Sequence, residues 1–183
     1  MAKAGDVMEH PVTGEKIIFR KTAQDTGGEL LQADLIVKPH GFVAAEHIHP
    51  HQEERFEILA GSVKFRVNGV ESDVRTGGKA IVPALTPHAW WNDSDQEAHV
   101  LVEVRPALRL EEFFETFFGL AQAGKVDKKT GLPNPLVLAL MMREFEQEIY
   151  LAKPPVSVQR ILFGVLGAVG RIRGYEGRYT YPR

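Results

Sequence analysis

From the amino-terminal end to about position 104, apolar and polar residues alternate in short runs separated by Gly, Pro, Asn and Asp. Side chains of an extended strand point to opposite faces in turn, so this alternation predicts strands with one buried face. The runs fall at 16–21, 30–38, 42–49, 55–59, 63–67, 70–74, 79–82, 88–91 and 99–104. Val67-Asn68-Gly69-Val70 joins two of them through an Asn-Gly pair, which tolerates the two positive φ angles of a two-residue hairpin. Many short strands at near-regular spacing, with no helices between them, predict an antiparallel sandwich or barrel.

Beyond Pro106 the pattern becomes helical. Residues 110–118 place aromatic side chains at three- and four-residue spacing, as the buried face of a helix does. A Lys/Gly/Pro/Asn loop covers 125–135, a second helix is expected over 136–151 with Pro154-Pro155 ending it, and a third over 156–172. The expected organisation is a β-barrel domain over 1–106 followed by a helical extension over 107–183.

Composition narrows the function classes. A chain of 183 residues, 44% hydrophobic and 25% charged, suits one globular domain with a sizeable core. Net charge of −2, with no basic stripe, gives no reason to expect a nucleic-acid partner. Without cysteine there is no disulfide, thiolate metal site or cysteine nucleophile. The chain opens without an apolar run, so no secretory leader is expected and the cytoplasm is the expected location. Charge divides along the chain: residues 1–104 carry 10 basic and 16 acidic side chains, for −6, and residues 105–183 carry 12 and 8, for +4. The third helix is apolar and basic enough to lie on an anionic membrane, but such a helix more often buries against its own protein, and membrane association is not expected.

One constellation implies specific chemistry. His47 and His49, separated by one residue, project from the same face of a strand; Glu54 follows after a short turn, and His88 after a further hairpin. Three neutral nitrogens and a charged oxygen suit a divalent transition metal such as iron, manganese, nickel, cobalt, zinc or copper, with positions left for substrate or water. Strand parity selects Glu54 over Glu53, because Glu54 shares a face with Phe56 and Ile58 whereas Glu53 shares one with Arg55 and Glu57. His51, after Pro50, reads as a rim residue, and His10 and His40 as surface residues. His99 alternates with Leu101 and Glu103 and reads as solvated or packed. Trp90 and Asn92 share the side of His88, which offers a cavity wall and a supporting hydrogen bond; Trp91 falls outside, under the helical tail. Arg55, Glu57 and Arg66 are candidates for cross-strand charge pairs.

The spacing Gly41, five residues, His47-Ile48-His49, four residues, Glu54, six residues, Gly61, and then Gly77, five residues, Pro83, four residues, His88, three residues, Asn92, resembles the two motifs of the cupin superfamily. The resemblance covers 41–61 and 77–92. It implies a small antiparallel jelly-roll barrel with C-terminal helices appended, a divalent metal held by His47, His49, Glu54 and His88, and a small-molecule substrate inside the barrel. It also implies pairing through the β-sheets as a homodimer. Family members run dioxygenation, isomerisation, decarboxylation, lyase and cyclase reactions, and others only bind. The intact ligand set favours a dioxygenase-type enzyme using iron or manganese, with Glu54 as ligand or as general base. One position departs from the motif: Leu85 stands where glycine is usual, so a different turn, fixed by Pro83 and Pro87, is expected there.

Overall fold

The computed structural model describes residues 2–182. The described residues form eleven strands, of which β1 and β11 lie outside the expected runs: β1 (Val7–His10), β2 (Glu15–Lys21), β3 (Leu31–Val37), β4 (His47–Ile48), β5 (Glu53–Ala60), β6 (Ser62–Val67), β7 (Val70–Arg75), β8 (Lys79–Val82), β9 (His88–Trp91), β10 (Ala98–Arg105) and β11 (Tyr150–Leu151). They assemble as two antiparallel sheets, ordered β1-β2-β3-β10-β5-β8 and β11-β4-β9-β6-β7. The helices are α1 (Ala23–Thr26), α2 (Leu110–Gln122), α3 (Pro135–Glu144) and α4 (Val156–Ile172). The protein is mainly β, a jelly-roll barrel with C-terminal helices.

The larger sheet shows how pattern becomes barrel. Ile17, Leu35, Val100 and Ile58 lie in one cross-strand row, and Ala33, Val102 and Phe56 in the next. Their alternation puts every one of them on the same face, and burying that face removes the apolar side chains from water. Phe65, Val63 and Trp90 close over it from the smaller sheet. Asn68 and Gly69 take φ of 50° and 80°, the hairpin that their pairing predicts.

Three segments differ from the sequence pattern. The strand expected over 42–49 pairs as a ladder only at His47–Ile48, with an isolated bridge from Phe42 to Trp91; between them Val43, Ala44 and Ala45 turn to line the interior cavity. The helix expected over 136–151 stops at Glu144. Phe145 and Ile149 bury instead, and Tyr150 and Leu151 pair with Ile48 and His47 as β11, satisfying the backbone of what is otherwise an exposed edge. Leu85 does not escape the glycine-like conformation: its φ is 65°, with the side chain in solvent and its N–H donated to the His49 carbonyl at 2.8 Å. The expected different turn is therefore not made.

The helices cover the open side of the barrel. Phe113, Phe117 and Phe118 of α2 and Met141 and Met142 of α3 face the inner surface of the larger sheet. Asn134 caps α3, accepting from the N–H groups of Leu136 and Val137, with Pro135 at the first position where no donor is needed. No helix among the described residues is long and apolar enough to cross a membrane.

Candidate metal centre

Each of the four predicted residues reaches one point by a different local route. His47 and His49 come from β4 and its continuation, Glu54 from the start of β5, and His88 from the start of β9, where it pairs directly with His47. One potential ligand atom from each lies within 4.8 Å of all the others, and all four residues are buried. Glu54 is inward and Glu53 outward, as parity requires.

The imidazoles are oriented by the backbone. His47 Nδ1 donates to the Ala45 carbonyl at 2.9 Å, His88 Nδ1 to Thr86 at 3.0 Å and His49 Nδ1 to Glu148 at 2.6 Å. With the proton on Nδ1 in all three rings, each Nε2 presents a lone pair inward, the arrangement that orients metal-binding histidines. Glu54 Oε2 then faces His88 Nε2 at 2.8 Å and His49 Nε2 at 3.5 Å. At that distance either a proton or a cation lies between the two atoms, and neither Glu54 Oε2 nor His88 Nε2 has any other buried hydrogen-bond partner. Polar atoms left unpaired in a dry interior are costly, and a cation at the centre satisfies both. The donor set fits a divalent metal.

Electrostatics agree. Burial pushes the Glu54 carboxyl up, but the surrounding His49, His88 and His47 outweigh it and hold the group down at about 2, so it is ionised. Burial, followed by the neighbouring His88 and His49, pushes His47 well below the ordinary imidazole range and keeps it neutral. Burial pushes the His88 imidazole down, but its hydrogen bond and attraction to Glu54 outweigh that and raise it, so without a metal a positive charge is favoured beside the carboxylate, where a bound cation would take its place.

The centre opens on a cavity with about 100 Å³ available to the centre of a water molecule. That is several times the roughly 10–15 Å³ a single water needs. Its walls are almost wholly apolar. Phe56 and Trp90 come from the barrel, as expected for Trp90, and the aromatic residues of α2 and the methionines of α3 close the other side.

Sequence pattern missed Glu15. It is buried on the inner face of β2 and lines the same cavity. Thr13 Oγ1 donates to its Oε2 at 2.6 Å, and Oε1 has no protein partner among the described residues. Burial pushes its carboxyl up to about 8, only partly offset by Thr13, so it is protonated near neutrality. Glu15 pairs with Val37, whereas Glu54 shares its row with Val104 and Leu31, six residues back along β3. Six residues of strand span about 20 Å, so the cavity has an ionised carboxylate at one end and a neutral one far from it. The only signal was an acidic residue in the inward register of Ile17 and Phe19.

The remaining expectations divide. His51 and His40 are exposed, and His99 makes an outer-face pair with Asp34 at 2.6 Å. His10 is not a surface residue: it is 1% exposed, its Nδ1 accepts from the Thr13 N–H, and its Nε2 donates to the Gly131 carbonyl. Phe117 and Phe118 pack on its ring, because α2 crosses β1. Asn92 does not support the centre. Its amide donates to the Val37, Lys38 and Gln96 carbonyls and its oxygen accepts from Ser94, fastening the loop before β10. Trp91 lies outside, but Arg66, 5.2 Å from the ring centroid, covers it rather than the helical tail. Arg66 and Glu57 make cross-strand pairs with Glu71 and Lys79, whereas Arg55 pairs along its own strand with Glu53.

Comparison with known proteins places this geometry. Residues 33–104 match the family model described as the cupin domain. Protein SchB of Streptomyces halstedii is 31% identical over 71 residues, 39% of this chain and 51% of that protein, so the chain spans about half the length of the curated relative it matches. Among solved structures, a predicted oxalate decarboxylase from Thermotoga maritima aligns with a TM-score of 0.50 and 16% identity, over 58% of this chain and 98% of that one. A sugar phosphate isomerase from Silicibacter pomeroyi aligns with a TM-score of 0.46 and 20% identity, over 51% and 60%. At such identities the structural likeness is one of fold.

Proposed function

We propose that this chain, a cupin across residues 33–104, is a metal-dependent enzyme acting on a small, largely apolar organic molecule, and specifically a dioxygenase-type oxidoreductase using iron or manganese. The observation that carries the reading is the buried cluster of His47, His49, Glu54 and His88, three of which line the wall of an apolar cavity. His47, His49, Glu54 and His88 would hold the metal, which when bound supplies Lewis acidity and, if iron or manganese, one-electron chemistry with oxygen.

The chain's own groups do the rest. Glu54, when turned off the metal, is the group placed to accept a proton from an enol or hydroxyl of the substrate. Trp90, Phe56 and the phenylalanines of α2 bind the apolar body and exclude water. Glu15, neutral and with Oε1 unengaged, donates a hydrogen bond to a polar group at the remote end without bringing a charge into the cavity. This arrangement favours an elongated substrate that is polar at both ends.

The test is oxygen consumption by protein loaded with iron(II) or manganese(II), across enolizable ketones and catechol- or flavonol-like compounds. Uptake with at least one of them, lost in Glu54→Gln, is the expected result. No uptake with any, while elemental analysis shows the metal still bound, sinks the oxygenase reading.

A further inference from the structure

Helix α4 has two apolar faces, and the described chain covers only one. Gln159, Phe163, Gly167 and Gly170 are buried, with Gly167 and Gly170 seated against Leu140 of α3. Val158, Ile161, Leu162, Val165, Val169 and Ile172 are exposed, Ile161 by 73% and Ile172 by 86%. At about 100° per residue those six occupy one sector about 100° wide, turned well away from the buried face. They expose on the order of 600 Å² of apolar surface, at the upper limit for a monomer and close to the roughly 800 Å² per partner of a standard interface.

The pattern of the stripe identifies its occupant. Val158, Val165 and Ile172 are seven residues apart, with Ile161 and Ala168 between them, which is the spacing of a helix–helix seam. With the exposed Ala168 added, the set also maps onto itself when read backwards about Val165: 158 exchanges with 172, 161 with 169, and 162 with 168. A surface that is its own reverse is self-complementary across a two-fold axis.

Charge decides between another copy and a lipid surface. Arginines of the barrel are paired with carboxylates, as in Arg20–Asp34 and Arg66–Glu71. Helix α4 has no acidic residue, and Arg160 and Arg171 lie about 140° around the helix from the centre of the stripe. A membrane-surface helix is rich in Lys and Arg on its polar face, whereas α4 carries only these two in 17 residues. Only Arg173, just past the helix end, lies near the rim of the stripe. Parallel helices would set it beside its own copy. Antiparallel ones separate the two by about 24 Å, three Debye lengths at physiological salt, and oppose the helix dipoles.

We propose that two copies of this chain pair through α4, packed antiparallel about an axis at Val165. Sedimentation equilibrium of the full chain then shows a dimer, and Ile161→Glu/Val165→Glu raises its dissociation constant at least 100-fold with unchanged far-UV circular dichroism and metal content. Ile161→Ser/Val165→Ser gives the same reading where the double glutamate disturbs folding. Because the chain has no cysteine, single substitutions report the geometry. Val165→Cys, on the axis, forms a disulfide-linked dimer on mild oxidation, whereas Val158→Cys, opposite Ile172 of the partner subunit, does not. Cross-linking at both positions overturns the antiparallel arrangement. A monomeric wild type, a dimer that both double variants leave intact, or a monomer that co-sediments with phosphatidylserine vesicles overturns the proposal itself.

Discussion

His49 and Glu148 stand 99 positions apart in sequence, yet His49 Nδ1 donates to the Glu148 carbonyl at 2.6 Å. The carbonyl belongs to the segment between α3 and β11, and it is held there by its own residue. The buried Glu148 side chain accepts from the Arg109 N–H, and Arg109 in turn pairs with Glu144. Gln52 ties the barrel to the same region by donating to the Pro106 and Ala107 carbonyls. The helices thus orient one of the four residues of the barrel's candidate metal centre.

Ending the chain after Pro106 is therefore expected to do more than remove a lid. It takes away the Glu148 carbonyl, the β11 partner of His47, and the aromatic cover of the larger sheet. Loss of one outer hydrogen bond to a metal-binding histidine typically costs about 10–100-fold in affinity, and here the edge strand frays as well. The shortened chain should bind added metal at least 100-fold more weakly, read by calorimetric titration, and should bind a dye specific for exposed apolar surface. Metal affinity equal to that of the full chain would show that the histidine needs no such support.

Replacing two ligands separates metal binding from folding. His47→Ala/His49→Ala should retain no iron or manganese above background on elemental analysis. Metal at 100 times its dissociation constant stabilises a single-site protein by about 2.7 kcal/mol, which for a chain of this size is about 5–10 °C in Tm. The wild type should show that rise and the double variant should not. Equal metal content in the two proteins would remove the centre from consideration.

Glu15 makes stability depend on pH above the acid range. Its carboxyl is raised from 4.5 to about 8 by burial, so the folded chain holds a proton that the unfolded chain releases. Stability from this group is complete below pH 4.5 and declines as pH rises through 8. Glu15→Gln keeps an acceptor for Thr13 and removes the titration. The variant should be more stable than wild type at pH 8, on the order of 1–3 kcal/mol by denaturant unfolding, and equal to it near pH 4. A constant difference across that window would mean that Glu15 is ionised in the fold.

His10 sets the opposite slope. Burial lowers its imidazole from 6.5 to about 4, against the raising effect of its backbone hydrogen bonds, so the unfolded state binds the proton. Its contribution is full above pH 6.5 and is lost as pH falls through 4. His10→Gln should flatten the fall in Tm between those values; an unchanged acid limb would place the titration elsewhere.

Leu85 is the position where relief is expected. A non-glycine residue at φ 65° is strained by about 1–2 kcal/mol, and its exposed side chain gives little packing in return. Glycine has a higher conformational entropy cost on folding, of about 0.5–1 kcal/mol. Leu85→Gly should raise Tm by a few degrees without altering metal content. A lower Tm would show that the leucine packs usefully in solution.

How much of this was legible depended on whether the cause was local. Period-two alternation placed β2, β3, β5 to β10 and the Asn68-Gly69 hairpin, since strand faces and turn angles are set by near neighbours. Parity separated Glu54 from Glu53 for the same reason. Spacing along two motifs pointed to four candidate ligands at one centre, because strand geometry converts residue intervals into directions. Long-range causes left no such trace. Nothing in the residues around 145–151 distinguishes a helix end from a helix interior until β4 offers those backbone groups a ladder. His10 looks solvated until α2 crosses β1, and Asn92 shares the side of His88 but spends its amide on the neighbouring loop. Sequence alone determined the barrel, the helical tail and the identity of the four clustered residues. Only the tertiary structure decided that the tail orients His49, that a neutral acid shares the cavity, and that α4 keeps an uncovered face, since each depends on segments distant in the chain meeting at one place.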